Sequence, residues 1–85
     1  MRVQDRLRSF LIDDLGCGMS NESLTDTYAL IDHKVVDSVG IYQLVAFIEI
    51  EFDVEILDEE LVVTNFATVD DIARLIAAKQ RGRDR

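Results

Sequence analysis

Few side chains in this sequence could take part in chemistry, and they stand far apart. His33 is the only histidine and Cys17 the only cysteine; we expect a surface loop position for the first and partial burial for the second. Ser38 lies outside any G-x-S-x-G motif and has no evident His/Asp pair to activate it. Zinc and phosphate-loop motifs are absent, and the acidic run 53–60 lacks the central glycine of a calcium loop. The sequence therefore predicts no catalytic residues and no metal site.

Ser38 stands out because it follows Asp37 at the start of a predicted helix. An aspartate there commonly caps the free N–H groups of the first turn, and capping alone would explain the pair. The same free N–H groups and the positive end of the helix dipole also favour a covalently attached phosphate. Gly40 costs such a helix about 1 kcal/mol relative to alanine. It either leaves room beside Ser38 for a modifying enzyme or makes a close contact between helix and loop.

The elements that must position Ser38 fit within one domain of 85 residues, of which 48% are hydrophobic. That length and composition indicate a globular domain with a small core. Apolar runs are only a few residues long and the N-terminus leads into no apolar signal core, so we expect no membrane insertion. A single cysteine cannot form an internal disulfide, which favours a reducing, cytoplasmic location.

The charge of the chain is unevenly distributed. The net charge is −8, and residues 9–73 contain 15 acidic residues against one basic residue, Lys34. A negative surface repels nucleic acids and anionic membranes, so we expect neither as a partner. The acidic middle serves either as ordinary solubilising charge or as a docking surface for basic partners.

Hydrophobic spacing predicts a helix at the N-terminus and a long loop after it. Apolar residues recur every three or four positions from Val3 to Leu15, and Gly16 is a plausible stop. Residues 17–37 have no steady period and are rich in turn and capping residues, with Leu24, Leu30 and Ile31 available to pack on the core. A loop of this length in a small domain is often functional.

Three further helices are predicted after the loop. The second begins at the Asp37 cap and runs from Val39 to about Phe52, followed by an extended stretch, 53–56. A short third helix starts at 58–61. Thr68 and Asp71 resemble a capping box that opens the last helix, which ends at Gly82 and the basic tail. With no proline and no strand alternation, the pattern predicts an all-α bundle of three longer helices and one short one.

Four segments in this order and spacing resemble the acyl carrier protein family. They are DSVGIYQLV (37–45), EIEFDVEI (49–56), DEEL (58–61) and NFATVDDI (65–72). The likeness covers roughly residues 30–76, together with the helix pattern of the first segment. It implies a four-helix bundle in which Ser38 carries 4′-phosphopantetheine, transferred from coenzyme A by a phosphopantetheinyl transferase. Asp37 matches the family's preceding acid, which helps the transferase and its magnesium to engage.

The sequence departs from the carriers of fatty-acid synthesis along the second helix. Val39 replaces the usual leucine, and Gly40, Gln43 and Ile50 stand where that class often has acids. Helical spacing places Tyr42 and Ala46 on the outward face that includes Ser38. A partly apolar docking face is therefore expected, with Glu49 as its main acid. Its members are Val39, Tyr42, Gln43, Ala46 and Glu49.

The segment 65–69 is closer to peptidyl and D-alanyl carriers. By resemblance the chain is a discrete, monomeric carrier of a specialised biosynthetic pathway. An adenylating acyl or aminoacyl ligase would load it, and downstream acyl-processing enzymes would receive the thioester. The basic tail, residues 80–85, is expected to be flexible.

Two other classes of function stay open. An unmodified helical adaptor would bind a partner through an apolar groove, and Ser38→Ala would leave it functional. An enzyme using Ser38 as nucleophile would react with a serine-directed probe.

Overall fold

The computed structural model describes residues 2–83, and this part of the chain is all-helical with no β-strand. A π-helical segment, Phe10–Asp14, continues the first helix, and a single 3-10 turn, Asp58–Glu60, precedes the third. The predicted all-α class is confirmed, with three longer helical elements and one short one if the π-helical segment is counted with the first helix. The four α-helices are α1 (Val3–Ser9), α2 (Ser38–Phe52), α3 (Val63–Phe66) and α4 (Val69–Arg83).

One hydrophobic core is shared by the helices and the long loop. Its buried side chains are apolar, so within the described residues no charged group is fully desolvated. In α4 the buried side chains are Val69, Ile72, Ala73 and Ile76, and Leu24 and Leu30 of the loop are fully buried. The core consists of Leu7, Leu11, Leu24, Leu30, Val36, Leu44, Ile48, Val54, Ile56, Phe66, Val69, Ile72, Ala73 and Ile76.

The first helix widens before it ends. The Leu15 N–H donates to the Phe10 carbonyl at 3.0 Å, five residues back, which is the hydrogen bond of a π-turn. The predicted stop at Gly16 is confirmed: Gly16 has φ of 64°, and the Cys17 N–H closes back onto the Leu11 carbonyl at 3.2 Å. The sequence predicted a regular helix here, and the wider turn instead accompanies stacking of Phe10 on Phe47.

The long loop, residues 17–37, contains turns but no helix, as predicted. Asp26 fastens it on two sides. Its carboxylate pairs with Arg2 and Arg8, and its carbonyl accepts from the Asp70 N–H of α4 at 2.9 Å. A second tie joins the Leu30 N–H to the Ala67 carbonyl at 2.8 Å. These bonds attach the loop, which leads into α2, to the N-terminal segment and to the start of α4.

Two predictions after α2 are wrong. Asp53 is not extended but left-handed, with φ of 54°, a conformation that aspartate tolerates at a helix end. The short helix does not start at 58–61, because Leu61 has ψ of 64° and its N–H closes only a 3-10 turn onto Asp58. Val62 is extended and α3 begins one residue later.

The start of α4 follows the prediction and its end does not. The Asp71 N–H donates to Thr68 Oγ1 at 3.1 Å, and that hydroxyl also contacts the Asp71 carboxylate at 3.0 Å. Gly82 does not end the helix, since α4 continues to Arg83 and Gly82 lacks the positive φ of a left-handed stop. Of the predicted flexible tail, residues 80–83 are helical, while residues 84 and 85 lie outside the described part.

Candidate functional site

The candidate site is the N-terminus of α2. Asp37 is the N-cap residue, and its Oδ1 accepts from the Gly40 N–H at 2.7 Å, which confirms the predicted cap. The Asp37 carbonyl accepts from the Ile41 N–H at 2.9 Å. These bonds leave the N–H groups of Ser38 and Val39 without a hydrogen bond among the described residues. Ser38 is the first residue of the helix and is exposed to solvent.

Gly40 lies in a close contact between α2 and the loop and does not leave open space beside Ser38. It is buried, and a Cβ at this position would lie 3.3 Å from Asp37 Oδ1 and 3.4 Å from Val36 Cγ1. Leu15 Cδ1 would lie 3.9 Å away. Of the two interpretations of Gly40, the structure favours the tight contact between α2 and the segments before it. The glycine thereby lets the first turn of α2 lie close to Val36 and Leu15.

The predicted docking residues lie along the exposed face of α2. Val39 is 66% exposed and Tyr42 69%, which excludes core packing for both side chains. Gln43 and Ala46 are also exposed. At about 100° per residue, Tyr42 and Ala46 lie within about 80° of Ser38 around the helix, whereas Val39 and Gln43 are rotated from it by about 100° and about 140°.

Glu49 has a structural contact that the sequence did not reveal. It is half-buried, and its Oε2 accepts from the Ile56 N–H at 2.9 Å. Glu49 therefore binds the segment that follows α2, in addition to being a predicted member of the docking face. No pattern within the helix could have indicated this bond, because it joins residues on two sides of the left-handed turn at Asp53.

A small apolar hollow lies beside α2, with a volume of about 130 Å³. Ile41, one turn after Ser38, lines it together with residues of the segment that ends in α3. The hollow can shelter a small apolar group. Its lining residues are Ile31, Ile41, Leu61, Val62, Val63 and Phe66.

The other reactive side chains are not brought to Ser38. His33 is exposed and its ring lies against Tyr28, with ring centroids 4.5 Å apart. Cys17 is a free, half-buried thiol. Among residues 2–83, no group of His, Cys, Asp and Glu side chains is arranged to hold a metal ion, and no hydrogen bond joins the Ser38 hydroxyl to a general base. This arrangement supplies an exposed hydroxyl that another enzyme can modify.

Comparison of the sequence with models of known protein families finds none that matches. In the described part of the chain, no helix is both long enough and apolar enough to cross a membrane.

Proposed function

We propose that this protein is a discrete carrier protein, in which Ser38 bears a 4′-phosphopantetheine arm that holds an acyl or aminoacyl group as a thioester. One observation carries the proposal: an exposed serine occupies the first position of α2, immediately after an aspartate whose side chain caps that helix. The resemblance of the four sequence segments to acyl carrier proteins supplies the chemistry of the arm.

The helix start fits an attached phosphodiester. A group on Ser38 Oγ lies next to the N–H groups of Ser38 and Val39, which make no bond within the described residues. These N–H groups and the positive end of the α2 dipole favour the negative charge of the phosphodiester. The arm, when bound, supplies a terminal thiol for thioester formation, whereas the chain itself provides attachment, orientation and recognition.

Asp37 has one carboxylate oxygen committed to the cap and is otherwise exposed. The other oxygen, Oδ2, can face an approaching phosphopantetheinyl transferase and its magnesium. Asp37 would thus combine two roles, holding the first turn of α2 in shape and presenting charge to the first partner enzyme.

The exposed face of α2 is proposed to dock the partners in turn: the transferase, an adenylating ligase and the downstream acyl-processing enzymes. Val39 and Tyr42 offer apolar contact area beside Ser38, and Gln43 and Ala46 extend it along the helix. A carrier must release each partner after reaction, so each interface should be small and weak. Tethering the substrate gives each docked enzyme a high effective concentration of it. A monomer in the cytoplasm, acting in a specialised pathway, fits this cycle.

The proposal is tested by labelling with a fluorescent coenzyme A analogue, magnesium and a broad-specificity phosphopantetheinyl transferase. The protein should gain one label, Ser38→Ala should gain none, and Ser23→Ala, which removes an exposed loop serine, should label normally. Label on a different residue contradicts the assignment of Ser38. Absence of label in the folded protein with two unrelated transferases favours the unmodified adaptor. Reaction of Ser38 with a serine-directed phosphonate would instead indicate an enzyme.

A further inference from the structure

A second and larger depression lies on the other flank of α2. We call it the α2 groove; its volume is about 400 Å³ and its apolar lining is Phe10, Leu15, Ala46, Phe47 and Ile50. The rings of Phe10 and Phe47 stack in it with centroids 4.2 Å apart. The π-helical segment and the residue after it therefore form one wall, and α2 forms the other.

Ile50 is the most unusual residue of the α2 groove. Its side chain is 84% exposed, the highest value among the large exposed apolar side chains of the described residues. Burial of an isoleucine side chain stabilises a fold, and Ile50 contributes almost none of this stabilisation because it is exposed. An exposed isoleucine at the edge of an aromatic depression is typical of a binding surface.

The α2 groove adjoins the proposed docking face and shares Gln43 and Ala46 with it, but it does not include Ser38. At about 100° per residue, Phe47 lies on the side of α2 opposite Ser38, and Ile50 is rotated by about 80° from Tyr42. Ala46 lies between Ser38 and Ile50 around the helix, and Gln43 lies between Ile50 and Phe47; both side chains line the α2 groove. A partner seated in the α2 groove therefore need not cover Ser38.

The charged side chains that line the α2 groove itself are acidic. Asp14 and Glu51 line it, and Asp13 lies beside it in an adjoining depression. Glu51 is paired with Arg6 at 3.0 Å, whereas Asp13 and Asp14 are exposed and form no ion pair within the described part of the chain. Arg6 also lines the adjoining depression and offsets part of this charge, but the three carboxylates outnumber it, and the net negative charge of the border favours a basic partner.

A second copy of this chain is not a suitable partner, because the α2 groove calls for an exposed apolar side chain next to a basic residue. The large exposed apolar side chains lie between residues 39 and 63, where the chain carries no basic residue. On α4, where bases are exposed, the exposed apolar side chain is only that of Ala78. No described segment offers a large exposed apolar side chain next to a base, and the net charge of −8 opposes self-association.

We propose that the α2 groove binds a segment of another protein that inserts a large apolar side chain between Phe10, Phe47 and Ile50 and places lysine or arginine next to Asp14. The binding does not require modification of Ser38, so it is independent of the carrier function. A partner bound there would contact Gln43 and Ala46 and leave Ser38, Val39 and Tyr42 exposed.

The test selects peptides from a random library displayed on phage against the immobilised full chain, then measures the affinity of the best peptides by fluorescence anisotropy. Selected sequences should combine a large apolar residue with lysine or arginine within one helical turn. Ile50→Ser should weaken binding about tenfold. Val63→Ser is the matched control: it also replaces an exposed apolar side chain by serine, but outside the α2 groove, and it should not weaken binding. Asp14→Lys should weaken it, and Glu59→Lys should have little effect. Ser38→Ala should bind like the parent.

Each of these outcomes can overturn the proposal. Failure to enrich any peptide, or enrichment of peptides without basic residues, contradicts the stated partner chemistry. Equal effects of Ile50→Ser and Val63→Ser place the binding elsewhere. Circular dichroism of the five variants tests whether misfolding is the cause; all five positions are exposed, so each variant should fold. Loss of binding in Ser38→Ala would show that the peptides use the Ser38 face instead.

Discussion

Asp37 shows how one side chain can be assigned two separable roles. Its Oδ1 caps α2 through the Gly40 N–H, and its negative charge is proposed to engage the transferase. Asparagine is as good an N-cap as aspartate but carries no charge. Asp37→Asn should therefore keep the free energy of unfolding within about 0.5 kcal/mol and slow phosphopantetheine transfer. Urea denaturation and the initial rate of labelling measure the two effects.

Asp37→Ala provides the contrast, because it removes both cap and charge. It should lower the free energy of unfolding by about 0.5–2 kcal/mol as well as slowing transfer. If Asp37→Asn is labelled at the parental rate, the charge has no part in the reaction with the transferase and Asp37 is only a cap.

Gly40 is predicted to be required for packing rather than for access. A valine side chain there would overlap the space held by Asp37 and Val36, and its Cβ alone lies 3.3 Å from Asp37 Oδ1. Gly40→Val should destabilise the protein by about 1–3 kcal/mol. Gly82→Val is the matched control, since a Cβ at Gly82 meets no atom within 4 Å. Equal midpoints of thermal unfolding for the two variants would contradict the close contact.

At the scale of helices, α2 and α4 could be predicted from the sequence because their signals are local. A capping aspartate or threonine precedes each, and apolar spacing marks the buried stripe. The π-helical segment and α3 could not be predicted. Their hydrogen bonds depend on where the chain must turn to pack Phe10 on Phe47 and Phe66 into the core, which are tertiary contacts.

The turn before α3 is held to α4 by an ion pair. The Lys79 ammonium contacts the Glu60 carboxylate, which also accepts from the Leu57 N–H at 2.9 Å. The hydrogen bond from Lys79 lowers the pKa of Glu60 below its ordinary value. The stabilisation is therefore complete above the unfolded-state pKa and is lost as the pH falls through the lower folded-state pKa.

Lys79→Met should lower the free energy of unfolding by about 0.5–1 kcal/mol at neutral pH. The difference from the parent should shrink below about pH 4.5, where Glu60 begins to be protonated in the unfolded chain. Urea denaturation across this range measures it. Arg74→Met is the control, because the Arg74 side chain is 74% exposed and its pair with Asp71 should contribute less. A difference that stays constant to pH 3 would contradict the role of Glu60.

The outer face of α2 is predicted to act in docking without contributing to the fold. Tyr42→Lys alters a side chain that is 69% exposed, so the free energy of unfolding should change by less than about 0.5 kcal/mol. It should reduce kcat/KM for the transferase about tenfold. Val63→Lys, at 63% exposure, is the control. Equal kinetics of the two variants would remove Tyr42 from the docking face.

Across the whole molecule, the basic residues near the two ends of the chain neutralise part of the acidic middle. Arg2 and Arg8 pair with Asp26, Arg6 pairs with Glu51, and Lys79 pairs with Glu60. The sequence indicated the asymmetry of charge but not which acids remain unpaired. For the same reason it could place Ser38 at a helix start but could not show the α2 groove, whose walls are distant in sequence.

The long loop has a structural role in the folded molecule. Its length alone suggests a functional segment, but Leu24, Leu30 and Val36 are part of the core and Asp26 ties it to both α1 and α4. The loop is thus a structural element that delivers the chain to Asp37. Flexibility of the loop is not required for the proposed function.

Attachment of phosphopantetheine to Ser38 is best tested by the intact mass of the full chain after incubation with coenzyme A, magnesium and a phosphopantetheinyl transferase, beside Ser38→Ala. We expect a gain of one phosphopantetheine in the parent protein, located on the peptide that contains Ser38, and no gain in the variant. An unchanged mass of the folded parent with two unrelated transferases, or a gain that persists in Ser38→Ala, would contradict it.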